Sequence, residues 1–276
     1  MSSDTRSTCA DAGLPTLDPM PLAPHFHAML RTKDGVRIDA AHTPPRDTAE
    51  RRADLGVVLA HGFTGGWRNG TARRIAHVFS GFGGVVCFDF RGHGRSGGTS
   101  TVGDLEVLDL DSAVRHARSI GYRRIAVVGF SMGAAVAVRH AGLHGGVDAV
   151  VAVSGPARWY YRGTRPMRQV HWAIERPFGR LIARVAKRTR IARGPWDPIP
   201  LSPHEAAPLI SPTPLLVVHG DRDAFFPIEH AHQLYGAARE PKELWIEPGY
   251  GHAETAATPG LIRRIGGWIR TTLTEA

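Results

Sequence analysis

Ile125-Ala126-Val127-Val128-Gly129-Phe130-Ser131-Met132-Gly133-Ala134-Ala135-Val136-Ala137-Val138 changes character twice within a short span. Its first four residues are apolar and mostly β-branched, as a buried strand requires, and its last five are small and apolar, as a close-packed helix requires. Between them lies Gly-x-Ser-x-Gly. The two glycines lack Cβ atoms, so the chain can turn tightly and lift the Ser131 hydroxyl off the edge of a sheet. The helix that follows aims backbone N–H groups at any negative charge developing there. Gly-x-Ser-x-Gly alone is a common accident, but strand before and helix after are what a nucleophile elbow demands.

Similar short apolar runs recur on both sides of this stretch. Val57-Val58-Leu59-Ala60 and Val85-Val86-Cys87-Phe88 precede it; Val150–Val153, Leu215–Val218 and Glu243–Ile246 follow. Ala28–Leu30 and Val36–Ile38 flank the turn pair Asp34-Gly35 and read as a hairpin. Helical patterns fill the gaps at Thr71–Phe79, Leu105–Ser119, Met132–Leu143 and Pro259–Leu273. Alternating strands and helices predict an α/β fold: a mostly parallel eight-stranded sheet with helices on both faces. No strand is legible from Ala157 to about Pro214. The expected organisation is a disordered tail over 1–24, a core over 25–156 and 207–276, and a short helical lid inserted over 157–206.

A serine hydroxyl needs a base within hydrogen-bond reach. Of 15 histidines, His252 in Gly249-Tyr250-Gly251-His252 lies on a loop just past the last strand, able to fold back over the sheet's C-terminal edge. His61 and His93 also sit near strand ends, in Gly-rich turns, and read as structural. The base needs a carboxylate to fix its tautomer. His219-Gly220-Asp221-Arg222-Asp223 follows another strand and offers two. Asp221 suits a turn-capping role, and Asp223, further into the loop, is the expected acid. Leu59-Ala60-His61-Gly62-Phe63 runs from a third strand into a loop placed to supply an oxyanion donor. The expected donors are the backbone N–H groups of Phe63 and Met132.

These pieces together resemble the α/β-hydrolase superfamily from about His27 to Leu273. The resemblance rests on His61-Gly62-Phe63, Asp89-Phe90-Arg91-Gly92-His93-Gly94-Arg95-Ser96, Gly129–Gly133, His219–Pro227 and Gly249–His252, in that order. It is nearest the monoacylglycerol-lipase-like and serine-aminopeptidase-like branches. It implies a nucleophile, acid and base in the order Ser131, Asp223, His252, and a structural use for Asp89, Arg91 and His93. The expected activity is a serine hydrolase cleaving a carboxylic ester or thioester through an acyl-enzyme. The alternatives are an acyltransferase or cyclase using the same triad, and a non-catalytic binding protein on this fold. Neither metal nor organic cofactor is implied.

Composition excludes little but agrees. Hydrophobic residues at 42% and charged residues at 21% suit a globular domain, and two cysteines, Cys9 and Cys87, make no disulfide framework. With no apolar leader and no run of about 18 apolar residues, the expected location is the cytoplasm. The formal charge of +9 is concentrated: between Arg158 and Arg193 stand eleven basic residues against one acid, Glu175. No zinc cluster or RNA-binding aromatic motif accompanies them, so nucleic acid is not the expected partner. Phe178, Leu181, Ile182 and Val185 recur there at helical spacing behind Pro177. The expectation is an amphipathic lid helix, apolar side toward the cleft and basic side outward. The expected ligand is a small acyl compound, with anionic and lipid-like ones as candidates. Trp159, Tyr160, Tyr161 and Trp172 line an acyl pocket or pack the lid on the body. Oligomeric state carries no sequence signal.

Overall fold

The protein is described by a computed structural model covering residues 24–46 and 54–275. The tail expected over 1–24 lies outside these residues except for its last, as does Cys9. Eight strands form one sheet: β1 (Phe26–Arg31), β2 (Arg37–Thr43), β3 (Leu55–Ala60), β4 (Gly84–Phe88), β5 (Arg124–Phe130), β6 (Ala149–Val153), β7 (Leu215–Gly220) and β8 (Lys242–Glu247). Their order is β1-β2-β4-β3-β5-β6-β7-β8. The β1–β2 and β2–β4 pairs are antiparallel and the other pairs parallel. The expected mostly parallel sheet and its hairpin are both present.

The central strands are buried on both faces because alternate residues feed two separate cores. Val58 and Val127 join Leu110, Val136 and Leu234 on one side; Val57 and Val128 join Phe79, Ile265 and Ile269 on the other. The first side is covered by helices α2 (Glu106–Ser119) and α3 (Met132–Leu143), the second by α1 (Gly70–Phe79). Each fully buried aliphatic or aromatic side chain here contributes about 1.5–3 kcal/mol relative to exposure. Among the described residues no helix is long and apolar enough to cross a membrane.

Between β6 and β7 the chain leaves the sheet. Helices α4 (Arg165–Glu175) and α5 (Pro177–Ala186) come first, then α6 (Pro203–Ala206) and a 3-10 turn at Ala207–Leu209. The segment is tied to the sheet's loops at several points. The Thr164 hydroxyl donates to the Phe225 carbonyl at 2.8 Å, and the Trp196 indole N–H donates to the Thr101 carbonyl at 2.7 Å. Residues Thr189 and Ile191 pair with His93 and Ser100 in isolated bridges. The receiving loop is itself held by the buried Glu106 carboxylate, which accepts from the Ser100 hydroxyl and the Thr101 and Gly103 N–H groups. After β7 the chain forms α7 (Glu229–Ala237) and, past β8, the short α8 (Ala253–Ala256) and the long α9 (Pro259–Glu275).

The orientation expected for the amphipathic helix is corrected. In α5 the buried residues are Gly179 and Ala183, whereas Phe178, Leu181 and Val185 are exposed; of the apolar stripe only Ile182 borders the cleft, and Arg180 and Lys187 of the basic side border it too. A Cβ on Gly179 would stand 2.6 Å from Ala173 Cα. The two small residues let α5 approach α4 at backbone contact, and that approach, rather than the larger apolar stripe, selects the inward face.

Candidate active site

Ser131 stands at the end of β5 with φ 53° and ψ −116°, a region glycine enters freely and other residues avoid. Its surroundings hold it there. A Cβ on Gly129 would lie 2.2 Å from the Gly133 carbonyl oxygen, and one on Gly133 would lie 2.1 Å from that of Ala60. No other residue type fits either side of the turn. The Ser131 N–H donates to the Val153 carbonyl at 2.9 Å, binding the turn to β6.

Loops from β7 and β8 complete the arrangement. His252 Nε2 lies 2.9 Å from Ser131 Oγ, and His252 Nδ1 lies 2.8 Å from Asp223 Oδ2. The other carboxylate oxygen, Asp223 Oδ1, accepts the Phe225 and Phe226 N–H groups at 2.8 and 3.1 Å. Burial alone would raise the Asp223 carboxyl. The hydrogen bond and charge of His252, with the two backbone donors, hold it below the ordinary carboxylate range. The imidazole is stacked on Phe225 at 4.3 Å between centroids. Its loop is fixed by the Tyr250 hydroxyl, which donates to the Ala253 carbonyl at 2.6 Å, and by the Ala253 N–H, which donates to Ser154 Oγ at 3.1 Å. The structure thus brings together the three side chains singled out from sequence. Asp221 is elsewhere, its Oδ1 accepting the Gly249 N–H at 2.7 Å.

Phe63 and Met132 line the same cleft as Ser131 and His252. Neighbouring N–H groups are engaged: Gly62 donates to Glu254 Oε1 at 2.9 Å and Thr64 to His93 Nε2 at 3.2 Å. The Phe63 and Met132 N–H groups have no protein acceptor among the described residues. Glu254 is the residue motif reading passes over. Two positions beyond His252, it ties the loop carrying the base to the loop after β3. A half-buried carboxylate in the short helix α8 carries no sequence signal of such a long-range partner. The cleft measures about 1270 Å³ and is walled by Trp159, Tyr160 and Tyr161 together with Ile174 of α4 and Ile182 of α5. Trp159 also packs within the insert, tilted against Trp196 and donating its indole N–H to the Pro200 carbonyl, and meets the body where the Arg139 guanidinium lies 5.8 Å over its ring. Trp172 is not in the cleft wall and is exposed.

His61 and His93 are buried and serve the loops. His61 Nε2 accepts the Phe90 N–H at 3.0 Å while Nδ1–H donates to the Gly62 carbonyl at 2.7 Å. Burial lowers the His61 imidazole from an ordinary 6.5 to about 4, and lowers that of His93. Between those limits the unfolded chain binds the proton and the folded one does not. The His61 contribution is therefore complete above pH 6.5 and lost as pH falls toward 4. By pH 5 it amounts to about 2 kcal/mol of lost stability. Thermal melts at pH 7 and pH 5 should show a smaller drop for His61→Gln than for the wild type; equal drops would refute the assignment.

A mostly parallel α/β sheet bearing a strained serine between strand and helix, with histidine and aspartate on later loops, defines a class. The chain belongs to the alpha/beta hydrolase family, whose family model matches residues 57–260. Among individual proteins, it is 29% identical over 234 residues to the uncharacterized protein YfhR of Escherichia coli O157:H7, covering 80% of this chain and 71% of that one. It is 28% identical over 237 residues to a monoacylglycerol lipase of Mycolicibacterium smegmatis, covering 71% of this chain and 80% of that one. In structure it is similar to the Pyrococcus furiosus esterase Pf2001, with a TM-score of 0.68 and 24% identity over 92% of this chain and 93% of that one.

Proposed function

We propose that the protein is a serine hydrolase that cleaves carboxylic esters, with thioesters as the nearest related substrates, through an acyl-enzyme. The observation that carries this reading is the unbroken hydrogen-bond relay from Ser131 Oγ through His252 to Asp223. Ser131 Oγ attacks the carbonyl carbon as its proton passes to His252 Nε2, and the carbonyl π electrons move to oxygen. The Phe63 and Met132 N–H groups donate to that oxyanion. Collapse expels the alcohol, which takes the proton from Nε2 and leaves the acyl group on Ser131. Water, deprotonated by the same nitrogen, then releases the acid. The insert over 157–206 serves as a lid over an acyl pocket. A reducing compartment such as the cytoplasm belongs to the same reading: the Cys87 thiol is buried, has no disulfide partner among the described residues and is pushed up to about 12 by burial, which keeps it an inert thiol.

The test is a fluorophosphonate probe followed by mass spectrometry of the labelled peptide. Phosphonylation of Ser131 is expected; a well-folded protein that stays unlabelled would refute the reading. Glu254 supplies a second measurement. Its carboxylate fixes the Gly62 N–H beside the proposed oxyanion donor, so Glu254→Ala should lower kcat by roughly 10-fold or more with KM little changed. Glu254→Gln keeps an acceptor oxygen and should restore most of the rate. Equal losses in both variants would mean that the charge, and not the hydrogen bond, matters.

A further inference from the structure

Helix α5 has three faces, and two of them need explaining. Gly179 and Ala183, four apart, face α4 and the cleft. Phe178, Leu181, Ile182 and Val185 form a second face by helical spacing. They are 64%, 53%, 44% and 74% exposed. Trp172 of α4, 46% exposed, meets Phe178 edge-on and extends the patch. Arg180, Arg184 and Lys187 recur at the spacing of a third face, where Arg180 and Lys187 border the cleft and Arg184 points away from it, with Arg176 and Arg188 at the helix ends. An apolar stripe this continuous on the surface of a ten-residue helix is costly to leave in water and marks a docking surface.

Charge identifies the occupant. The one acid of the region, Glu175, is already paired with Arg162 and lies 3.3 Å from His171. Arg176, Arg184, Lys187 and Arg188 are exposed and have no carboxylate partner among the described residues. A second copy docking through this stripe would bring like charges face to face. An anionic lipid surface satisfies both faces at once, taking the apolar stripe among its acyl chains and the guanidinium and ammonium groups among its headgroups. Ile182 joins the two features, since it belongs to the exposed stripe and also lines the cleft. We propose that α5, with Trp172, docks the protein on anionic membrane surfaces and sets the cleft mouth against the lipid from which an acyl substrate enters. The purpose of the docking rests on the hydrolase reading; the docking itself does not.

The experiment uses the full chain carrying Ser131→Ala, so that no lipid is cleaved, sedimented with vesicles of phosphatidylcholine alone or mixed with phosphatidylglycerol. Binding to the mixed vesicles is expected, falling as salt rises, with weaker binding to phosphatidylcholine alone. Adding Phe178→Asp, Leu181→Asp and Val185→Asp should weaken vesicle binding at least about ten-fold. In a chain that retains Ser131, the same three substitutions should leave hydrolysis of a short water-soluble ester and probe labelling unchanged. None of the three residues lines the cleft. No binding to phosphatidylglycerol vesicles, or equal binding by the substituted chain, overturns the proposal. So does a dimer in size-exclusion chromatography that the three substitutions dissolve, because the stripe would then belong to a second copy. Failure of labelling with intact vesicle binding would sink the hydrolase reading and leave the docking surface standing.

Discussion

Ser131→Ala should abolish ester turnover, lowering kcat by roughly 10⁴-fold or more, while leaving thermal stability essentially unchanged. The loss is large because no other group takes over: in the relay Ser131 Oγ is the atom His252 Nε2 addresses, at 2.9 Å. The residual rate would come from substrate binding and the backbone donors alone. Stability separates this result from misfolding. Alanine inherits the backbone of Ser131, at φ 53° and ψ −116°, together with its cost of about 1–3 kcal/mol. Ser131→Gly should be equally inactive yet melt at a higher temperature, since glycine enters that region without penalty. A turn that loses activity and gains stability by the same substitution is one whose strain is kept for its hydroxyl. If Ser131→Ala retains turnover within ten-fold of the wild type, the nucleophile is elsewhere.

Sequence made the central sheet legible because buried parallel strands write themselves as uninterrupted β-branched runs, and the antiparallel hairpin legible because Asp34-Gly35 marks its turn. All eight runs became strands, and the four helical patterns became α1, α2, α3 and α9 with ends shifted by at most two residues. What escaped has physical causes. Helix α4 has no buried residue; its apolar period is short, with Met167, Val170 and Ile174 facing the open cleft, and its other signals are the Thr164 cap and Pro166 in its first turn. Helix α7 buries His230, Ala231 and Leu234, a stripe too narrow and too polar to stand out. In α5 the apolar period was legible but its direction was not. Periodicity identifies a face and does not say what meets it, and Gly179 and Ala183 decide that question through backbone proximity. Site residues at the ends of strands were easier to find than Glu254, because strand order fixes where those loops converge and nothing local fixes where a carboxylate on the four-residue helix α8 reaches.

Asp223→Asn should cost nearly as much as losing the nucleophile, about 10⁴-fold in kcat near neutral pH, with the fold intact. The reason lies in how the two carboxylate oxygens divide their partners. Oδ1 accepts two backbone N–H groups, from Phe225 and Phe226, whereas Oδ2 faces His252 Nδ1. An asparagine carbonyl must take the Oδ1 place, because an amide NH₂ there would meet two donors. Its NH₂ is thereby turned toward His252 Nδ1, which can then only accept. The imidazole proton moves to Nε2, the nitrogen that must be bare to receive the Ser131 proton. The variant would hold every heavy atom within a few tenths of an ångström and still present the wrong tautomer. Asp223→Ala frees the ring to adopt either tautomer but leaves the Phe225 and Phe226 N–H groups without their acceptor, so it should lose stability as well as rate. The decisive comparison is between kcat and melting temperature in the two variants. A large rate loss without a melting shift in Asp223→Asn, against losses in both for Asp223→Ala, is the expected result. An Asp223→Asn enzyme that keeps wild-type kcat would show that the carboxylate is structural, and that His252 is oriented by its stacking on Phe225 and by the Tyr250–Ala253–Ser154 bonds of its own loop.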